Sequence, residues 1–489
     1  MMPLVSLTVF VPLLGAVLLV LLRPSNARAA HRLGLAAACL SLLGAVGVGL
    51  RGVGPGFSQV EEIDWIPSLG SAYRVGVDGI SLPLFLLTTV LFLVSLVFST
   101  RVTDRTPAYV AFFLMLETTC LGAFVALDLV LFYVFFELTL VAMYFIIAGW
   151  GHEDRQRAAL LFFLYTLLGS LPILLGIIAL YLGADPHTFD MRQMVASPPL
   201  AGFAGALTFV AFLLGFGIKT PVFPLHTWLP AAHVEAPTAG SVVLAGVLLK
   251  LGTYGFVRFI LQMTPEAFRA AAPWVATLAS FSALYGAFVA LAQTDLKRLV
   301  AYTSVNHMGY VVLAVAAAAA TTEPRVRAVA IDGAVLQMVS HGVVTGALFL
   351  LVGALQDRAG TREMGAFGGL LRGMPLLGWA FIVAAFASLG LPGLAHFPAE
   401  FQIFLGTFGV WPLAAAITVI GILVTAGLYL RAIQITFLGE VGERWRALPD
   451  LGRADLWAVM PLLAMALMIG VAPGSLLNVI HRTASSLGP

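Results

Sequence analysis

Residues 215–230 read GFGIKTPVFPLHTWLP, which places Lys219 and three prolines inside one apolar run. Each proline removes a backbone N–H donor, so a helix through this run is predicted to break in its middle. Broken helices at membrane depth are tolerated only beside buried or water-filled cavities. We therefore expect Lys219 to lie at a helix break inside a membrane, where water can reach its amine.

The composition of the whole chain is that of a membrane protein. Of its 489 residues, 60% are hydrophobic and 10% are charged, whereas about a quarter of the residues in a soluble domain are charged. These proportions exclude a soluble globular enzyme and a disordered chain. The net charge of +2 provides no excess of positive charge to hold a phosphate backbone, which excludes a nucleic-acid partner.

Cysteine usage limits the cofactors. The chain has 2 cysteines, Cys39 and Cys120, which are far apart in the sequence. Iron–sulfur clusters and structural zinc sites need larger sets of closely spaced ligands. The residue spacing also gives no indication of a metal triad, a nucleophile–base pair or a phosphate-binding loop. We therefore expect no cofactor and no metal in this chain, and proton binding and release as its only chemistry.

Continuous apolar runs of about 20 residues, the length that crosses a bilayer as a helix, recur along the chain. Their continuity excludes the alternating strands of an outer-membrane barrel. One set of loops between the runs carries 15 basic residues and the other carries 8. We place the first set in the cytoplasm and both termini on the outer side of a bacterial inner (plasma) membrane. The predicted spans lie near 2–22, 32–50, 80–100, 108–127, 129–149, 158–182, 203–230, 238–261, 272–293, 298–320, 328–355, 375–403, 409–438 and 455–480.

Spans 7 and 12 are both interrupted by prolines, which indicates internal repetition. If spans 4–8 and spans 9–13 are equivalent, the two interrupted spans occupy the same place in each set. Paired broken helices are typical of transporters built from inverted repeats. We predict an all-α polytopic membrane protein of about 14 helices with two inverted five-helix repeats. Its parts are N-terminal helices in 1–106, a first repeat in 107–261, a second repeat in 272–438, and a C-terminal loop with span 14 in 439–489.

Of the ionisable side chains inside the predicted spans, where a charge is costly and marks a candidate functional site, we select six. They are Glu137, Lys219, Lys250, His307, His341 and Glu400. A desolvated lysine can lose its proton near neutral pH, whereas arginine stays charged. Each histidine alone is equally well interpreted as a hydrogen-bonded core residue. In the predicted repeats, Glu400 takes the place of Lys219, and His307 takes that of Glu137.

The third lysine of the chain is Lys297, in the sequence DLKR at 295–298. We place it in the loop between spans 9 and 10. Two interpretations stay open for it: a positively charged anchor at the cytoplasmic face, or a role in proton uptake.

Several motifs resemble those of the antiporter-like membrane subunits of respiratory complex I, over nearly the whole chain. They are VDGIS at 77–81, FEL at 136–138 with MY at 143–144, the block from Lys219 through PTAGS at 237–241 to Lys250, DLKR with AYTS at 301–304, HMG at 307–309 and PAEF at 398–401. The resemblance is greatest to the M type, which has glutamate where Glu400 stands, whereas the L and N types have lysine. The chain also stops soon after span 14, without the long lateral helix of the L type. It departs from the family pattern at Ala142, where relatives tend to have proline.

The resemblance implies a proton-translocating membrane-arm subunit of an NADH:quinone oxidoreductase. Such a subunit performs no redox step itself, so FMN, iron–sulfur clusters and quinone are expected in partner subunits. The expected partners are L- and N-type membrane subunits, the redox arm, the lipid bilayer and protons.

The resemblance also implies roles for the six candidate residues. Lys219 would be the switchable proton carrier, and Glu137 would be its ion-pair partner. Glu400 would exchange protons with the far compartment. The relay between these two ends would consist of Lys250, His307 and His341.

Two other readings use the same residues. A subunit of an Mrp-type sodium/proton antiporter or of a membrane-bound hydrogenase shares the repeat. A membrane scaffold without transport would use its buried charges only to hold neighbouring helices in register. Partner subunits distinguish the first two from complex I, and charge-neutralising substitutions that change assembly but not transport would indicate the scaffold.

Overall fold

The computed structural model describes residues 3–487, and α-helices make up most of them. Residues 2, 488 and 489, which fall within predicted segments, lie outside the described residues. The first half of the chain contains α1 (Leu4–Leu22), α2 (Ala27–Arg51), β1 (Ser58–Ile66), β2 (Ser71–Val77), α3 (Ser81–Phe98), α4 (Thr106–Val125), α5 (Leu129–Trp150), α6 (Arg155–Gly183), α7 (Met191–Ala196), α8 (Gly202–Lys219), α9 (Trp228–Glu235), α10 (Thr238–Val243) and α11 (Leu249–Gly255).

In the described residues of the second half, the regular secondary structure consists of helices. It contains α12 (Pro265–Leu291), α13 (Leu296–Ala320), α14 (Pro324–Ala359), α15 (Leu370–Gly373), α16 (Pro375–Ser388), α17 (His396–Phe408), α18 (Pro412–Phe437), α19 (Arg453–Val471) and α20 (Gly474–Ala484). In the described part of the chain, 13 helical segments are long and apolar enough to cross a membrane. Helices α16 and α17 together make one more crossing, which confirms the prediction of about 14 spans.

Spans 7 and 12 are broken, as predicted. Helix α8 ends at Lys219 and α9 begins at Trp228, so the two prolines at 221 and 224 lie in the connection. Helix α9 continues to Glu235, beyond the predicted end of span 7 at residue 230. It ends there because Pro237 follows two residues later. Span 12 breaks between Ser388 and His396, and its second half extends to residue 408 instead of 403.

Glycine makes the turn inside span 12 possible. Gly390 and Gly393 have φ of +78° and +89°, a left-handed conformation that side chains with a Cβ rarely adopt. A Cβ on Gly390 would lie 2.6 Å from Oε2 of Glu400. The missing side chain at residue 390 therefore leaves the space that the Glu400 carboxylate fills.

Both described ends of the chain lie on one face of the helical bundle, because an even number of crossings separates them. We call this face the termini face; it carries residues 52–80, 126–128 and 184–201 together with α20. Its parts are joined at Asp128, which accepts hydrogen bonds from Ala72 N at 3.0 Å and from Ser71 Oγ at 3.2 Å. The opposite face, the basic face, carries residues 23–26, 102–105, 151–154, 360–374 and 438–452.

Two features of the fold were not predicted. Residues 58–77 form an antiparallel hairpin on the termini face, in which Ile63 pairs with Tyr73. Span 8, predicted to be a regular helix over 238–261, contains two π-helical segments, Leu244–Leu248 and Phe256–Leu261. Single turns of π-helix are frequent at functional sites, and Lys250 lies between these two.

Replacing Gly390 with alanine should destabilise the break in span 12. The left-handed backbone alone costs roughly 1–2 kcal/mol for a residue with a Cβ, and the new Cβ also displaces the Glu400 carboxylate. We expect less folded chain in membranes and a midpoint of heat-induced aggregation in detergent lower by roughly 2–4 °C. The control is Gly427→Ala in α18, where a Cβ meets no atom within 4 Å. Equal losses in both variants would contradict this account.

Candidate functional site

Lys219 is the last residue of α8 and lies at the break in span 7. Its side chain is buried, and Nζ lies 4.9 Å from the ring centroid of Phe136 and 5.8 Å from that of Phe162. Aromatic faces attract an ammonium group electrostatically. The break is held in shape by Trp228, whose Nε1 donates to Ile218 O at 3.0 Å. The sequence therefore places this lysine among aromatic rings.

The predicted ion pair between Glu137 and Lys219 is not formed. In the described part of the chain, no salt bridge within 4.0 Å joins the two side chains, although each charge acts electrostatically on the other. Phe136, the residue before Glu137, occupies the space over the ammonium. Glu137 is only half-buried, and its neighbours Val134 and Leu138 are exposed. Glu137 thus lies near the outer surface of the bundle, where a neighbouring subunit can contact it.

Lys250 makes a direct contact with His341. The two side chains are fully buried, and Lys250 Nζ lies 2.6 Å from His341 Nδ1. Nζ also donates to the carbonyl oxygen of Ala245 at 2.5 Å, inside the first π-helical segment. A hydrogen bond between these two nitrogens needs one protonated and one unprotonated partner. The contact is therefore a place where one proton is shared between an amine and an imidazole.

His341 is also close to a group formed by His307, His396 and Glu400. The ring centroids of His307 and His341 are 5.5 Å apart, and those of His307 and His396 are 4.5 Å apart. Oε1 of Glu400 lies 3.8 Å from His307 Nε2 and 3.8 Å from His396 Nδ1. The structure thus connects four of the six predicted residues, Lys250, His341, His307 and Glu400. Lys219 and Glu137 lie apart from this group.

His396 is a site residue that the sequence reasoning missed. It begins α17 directly after the break in span 12, and its Nδ1 lies 3.1 Å from Ser388 O at the end of α16. The imidazole therefore bridges the two half-helices. Its position as the first residue after the predicted break was a signal in the sequence, but its contact with His307 depends on packing between helices.

Several imidazole nitrogens of this group have no protein partner. In the described part of the chain, both nitrogens of His307, Nε2 of His341 and Nε2 of His396 are buried without a hydrogen bond. A buried polar atom left unsatisfied costs about 1–3 kcal/mol, and buried water usually satisfies such atoms. The open nitrogens mark positions for water or for exchanging protons.

The fold also assembles a geometry that residue spacing did not indicate. Ligand atoms of His307, His396 and Glu400 all lie within 4.8 Å of one another, so these three side chains are close enough to bind one metal ion. The sequence predicted no metal triad because the residues come from two separate helices. Two imidazoles and a carboxylate suit a transition metal, and they suit a proton path equally well.

A second group of titratable residues lies nearer the basic face. Lys297 belongs to the first turn of α13 and is fully buried, so its predicted placement in a loop between two spans is wrong. Its Nζ donates to Ala236 O at 3.1 Å and lies 3.4 Å from His152 Nε2. His233 in α9 is also fully buried, stacks on Phe349 at 4.6 Å, and has no hydrogen-bond partner for either nitrogen in the described chain.

His152 lies outside the spans, in the segment 151–154 on the basic face. Burial lowers the pKa of His152 to about 4, and the positive charges of Lys297 and Arg362 act in the same direction. Its imidazole is therefore neutral between pH 5 and pH 8 and becomes protonated only near pH 4. A neutral imidazole has one nitrogen that accepts a proton and one N–H that gives a proton up, so His152 can relay a proton without staying charged.

The charge of Lys297 can be tested through this histidine. In Lys297→Gln the pKa of His152 should rise above 4, because one of the repelling charges is gone while burial remains. Hydrogen–deuterium exchange at the imidazole C2 position, followed by mass spectrometry, measures the pKa of individual histidines. The control is Arg298→Gln, which removes an exposed neighbouring charge. An unchanged pKa in Lys297→Gln would show that Lys297 does not act on His152.

Comparison with known proteins places these residues in a family. The family model described as "NADH:quinone oxidoreductase/Mrp antiporter, TM" matches residues 126–425. The chain is 40% identical over 506 residues to NADH-quinone oxidoreductase subunit M of Rhodobacter capsulatus, with 100% of this chain and 96% of that protein covered. It is 37% identical to the protein of the same name from Rickettsia typhi, with 99% of each covered.

Solved structures agree with the sequence relatives. A chain of respiratory complex I from Thermus thermophilus matches with a TM-score of 0.90 and 34% identity, covering 99% of this chain and 98% of that one. A chain of the Mrp complex from Dietzia sp. matches with a TM-score of 0.85 and 24% identity, covering 100% and 98%. The second likeness shows a shared fold alone.

Proposed function

The chain belongs to the NADH:quinone oxidoreductase/Mrp antiporter membrane family, and we propose that it works as the M-type subunit of a respiratory NADH:quinone oxidoreductase. It is a multi-pass protein of a bacterial membrane, and it moves protons while partner subunits transfer electrons. Relatives with this name align over nearly the full length of the chain. The structural match to Thermus complex I covers the same extent.

Protons cross the bundle along the connected residues of the site. The observation that carries this proposal is the 2.6 Å contact between Lys250 Nζ and His341 Nδ1. From His341 the path continues through His307 and His396 to Glu400, within the distances given above. Glu400 is the terminal carboxylate of the relay, and the open nitrogens of the imidazoles hold the intervening water.

Proton uptake begins at the basic face. His152 and Lys297 form the outer step, and we assign His233 to the step between them and Lys250, because this buried imidazole interacts electrostatically with both lysines. Of the two interpretations of Lys297, the burial of its amine and its contact with His152 support proton uptake.

Lys219 and Glu137 couple the relay to a neighbouring subunit. Helix α11, which carries Lys250, packs tightly on the break, because a Cβ on Gly252 would lie 2.9 Å from the carbonyl carbon of Lys219. Glu137 lies near the outer surface, so a neighbour that moves it alters the field at the Lys219 ammonium. Bringing opposite charges to about 4 Å is worth about 4 kcal/mol at an effective dielectric constant of 20, which is enough to control proton binding.

The proposed function also implies an orientation of the chain in the membrane and an internal repeat of five spans. The basic face is cytoplasmic, so the termini face with both chain ends is on the outer side. The two five-span units, 107–261 and 272–438, are inverted repeats: α4 starts at the basic face, whereas α12 starts at the termini face. The fourth span of each unit is broken, at Lys219 in the first and before Glu400 in the second.

The redox cofactors and the quinone belong to partner subunits. Cys39 is exposed and Cys120 is buried in different helices, so they do not combine into a cluster site. The partners are L- and N-type membrane subunits and a redox arm that binds FMN and iron–sulfur clusters. A scaffold without transport is disfavoured, because scaffold charges need partners, whereas four imidazole nitrogens of the site have none in the described chain.

Copurification distinguishes the assemblies. Purification of the tagged chain from its native membranes in mild detergent should bring flavin- and iron–sulfur-containing subunits that reduce quinone with NADH. Nickel-bearing partners would instead indicate a hydrogenase. Small hydrophobic partners alone would indicate a sodium/proton antiporter and would overturn the proposed redox coupling.

Removing the amine of Lys219 or Lys250 should abolish most proton translocation. In Lys219→Ala and Lys250→Met the assembled complex should translocate protons at least about tenfold more slowly, because the group that binds the proton is gone. The measurement is NADH-driven acidification of inverted membrane vesicles, normalised to the amount of assembled complex. The control is Thr418→Val, a buried residue whose hydroxyl bonds only within its own helix, to Ala414 O at 2.7 Å. Full translocation by Lys219→Ala or Lys250→Met would refute the proposed role of that lysine.

A further inference from the structure

Polar side chains continue beyond Glu400 toward the termini face, and the relay described above does not use them. They are Gln337, Asp332 and His481. The first two lie on α14 and the third on α20. We refer to these three residues as the release group.

The packing of α14 against α17 places this group next to Glu400. A Cβ on Gly333 would lie 2.6 Å from Ile403 N, and Ser340 Oγ donates to Ala395 O at 3.0 Å. The two helices therefore run antiparallel in close contact between these points. Gln337 lies midway between Gly333 and Ser340, which brings it level with Glu400 in the opposing helix.

Gln337 is a polar side chain without a protein partner. It is fully buried, and in the described part of the chain neither its amide nitrogen nor its amide oxygen has a hydrogen bond. An amide can donate to one water molecule and accept from another, and leaving both atoms unsatisfied is costly. Its position level with Glu400 therefore calls for ordered water near that carboxylate.

Asp332 lies five residues before Gln337 on α14, which is about 7.5 Å nearer the termini face, and it pairs with His481. Asp332 Oδ2 lies 2.6 Å from His481 Nδ1. The Asp332 side chain is 6% exposed, whereas that of His481 is 55% exposed on an amphipathic helix at the termini face. Asp332 Oδ1 is buried and has no hydrogen-bond partner among the described residues. The carboxylate thus has one oxygen facing the interior and one facing a solvent-exposed imidazole.

We propose that Asp332 and His481 form the proton-release site through which Glu400 discharges at the termini face, with Gln337 holding the connecting water. This rests on the proposed function above. Protonated Glu400 gives its proton through water to Oδ1 of the Asp332 carboxylate, and rotation of the carboxylic acid brings this O–H to Nδ1 of His481, which takes the proton. The exposed imidazolium then turns toward solvent, loses the Nδ1 proton to bulk water and returns as the Nε2–H tautomer, with Nδ1 free to accept again. One proton leaves Glu400 and one reaches solvent in each cycle.

The test uses the assembled complex in inverted membrane vesicles. Asp332→Asn and His481→Ala should slow NADH-driven proton translocation by about five- to tenfold, whereas Asp332→Glu should retain most of it. The matched control is His187→Gln, an exposed histidine in the termini-face segment 184–201 whose Nδ1 contacts a backbone carbonyl, Ala184 O, at 2.7 Å and no carboxylate. The amount of assembled complex is measured for each variant, so that a folding defect is recognised.

Chemical rescue separates proton transfer from a structural role. Added imidazole should restore translocation in His481→Ala, because it can occupy the exposed position and accept the proton from Asp332, but it should not restore Asp332→Asn. Normal translocation in Asp332→Asn and His481→Ala, together with loss in Glu400→Gln, would overturn the release site and leave the proposed function standing. Normal translocation in Glu400→Gln as well would overturn the proposed function itself.

Discussion

The cost of placing an ionisable group in hydrocarbon governs this structure. Each such group needs a partner, a water molecule or a neutral form, since an isolated charge at the bilayer centre costs several kcal/mol. A carbonyl in a regular helix is already bonded within its own helix, so it has less capacity to stabilise an ionisable side chain. The chain interrupts its helices at three ionisable groups, at Lys219, around Lys250 and before Glu400, whereas His307 and His341 lie in continuous helices. The interruptions supply backbone oxygens and space for water that the ionisable groups require.

Two kinds of buried charge are visible, and they differ in how completely they are satisfied. Asp78 and Arg258 form a fully buried salt bridge at the second π-helical segment, and Asp78 also accepts backbone hydrogen bonds from Ile80 and Ser81 at 3.0 and 2.9 Å. This pair fixes the position of span 8, and arginine does not give up its proton, although Nε of Arg258 has no hydrogen-bond partner among the described residues. The imidazoles beside Glu400 instead keep open nitrogens. A permanent charge in a salt bridge thus distinguishes this anchor of the fold from the imidazoles proposed as a relay.

The sequence predicted what depends on composition and local chemistry. Hydropathy located the spans, prolines located the breaks in spans 7 and 12, and the cost of intramembrane charge selected the six candidates. The sequence could not predict contacts between helices that are distant along the chain. His396 contacts His307 only because α17 packs beside α13. Phe136 occupies the position over Lys219 that was predicted for Glu137. The π-helical segments of span 8 leave no local signal either, because the sequence VVLAGVLLK is compatible with a regular helix. The burial of Lys297 was missed because a basic residue near a span end is usually exposed.

The two broken spans place opposite chemistries at equivalent positions. At the first break, Lys219 lies among aromatic rings that favour its ammonium form, with the nearest carboxylate beyond contact distance. At the second, Oε1 of Glu400 lies 3.8 Å from an imidazole nitrogen of His307 and 3.8 Å from one of His396. An imidazole that has taken up a proton is attracted to this carboxylate, and a proton that reaches Glu400 cancels that attraction. A base at one break and an acid at the other make the two ends of the proposed path electrostatically different. A symmetric pair of lysines would lack this electrostatic difference between the two ends.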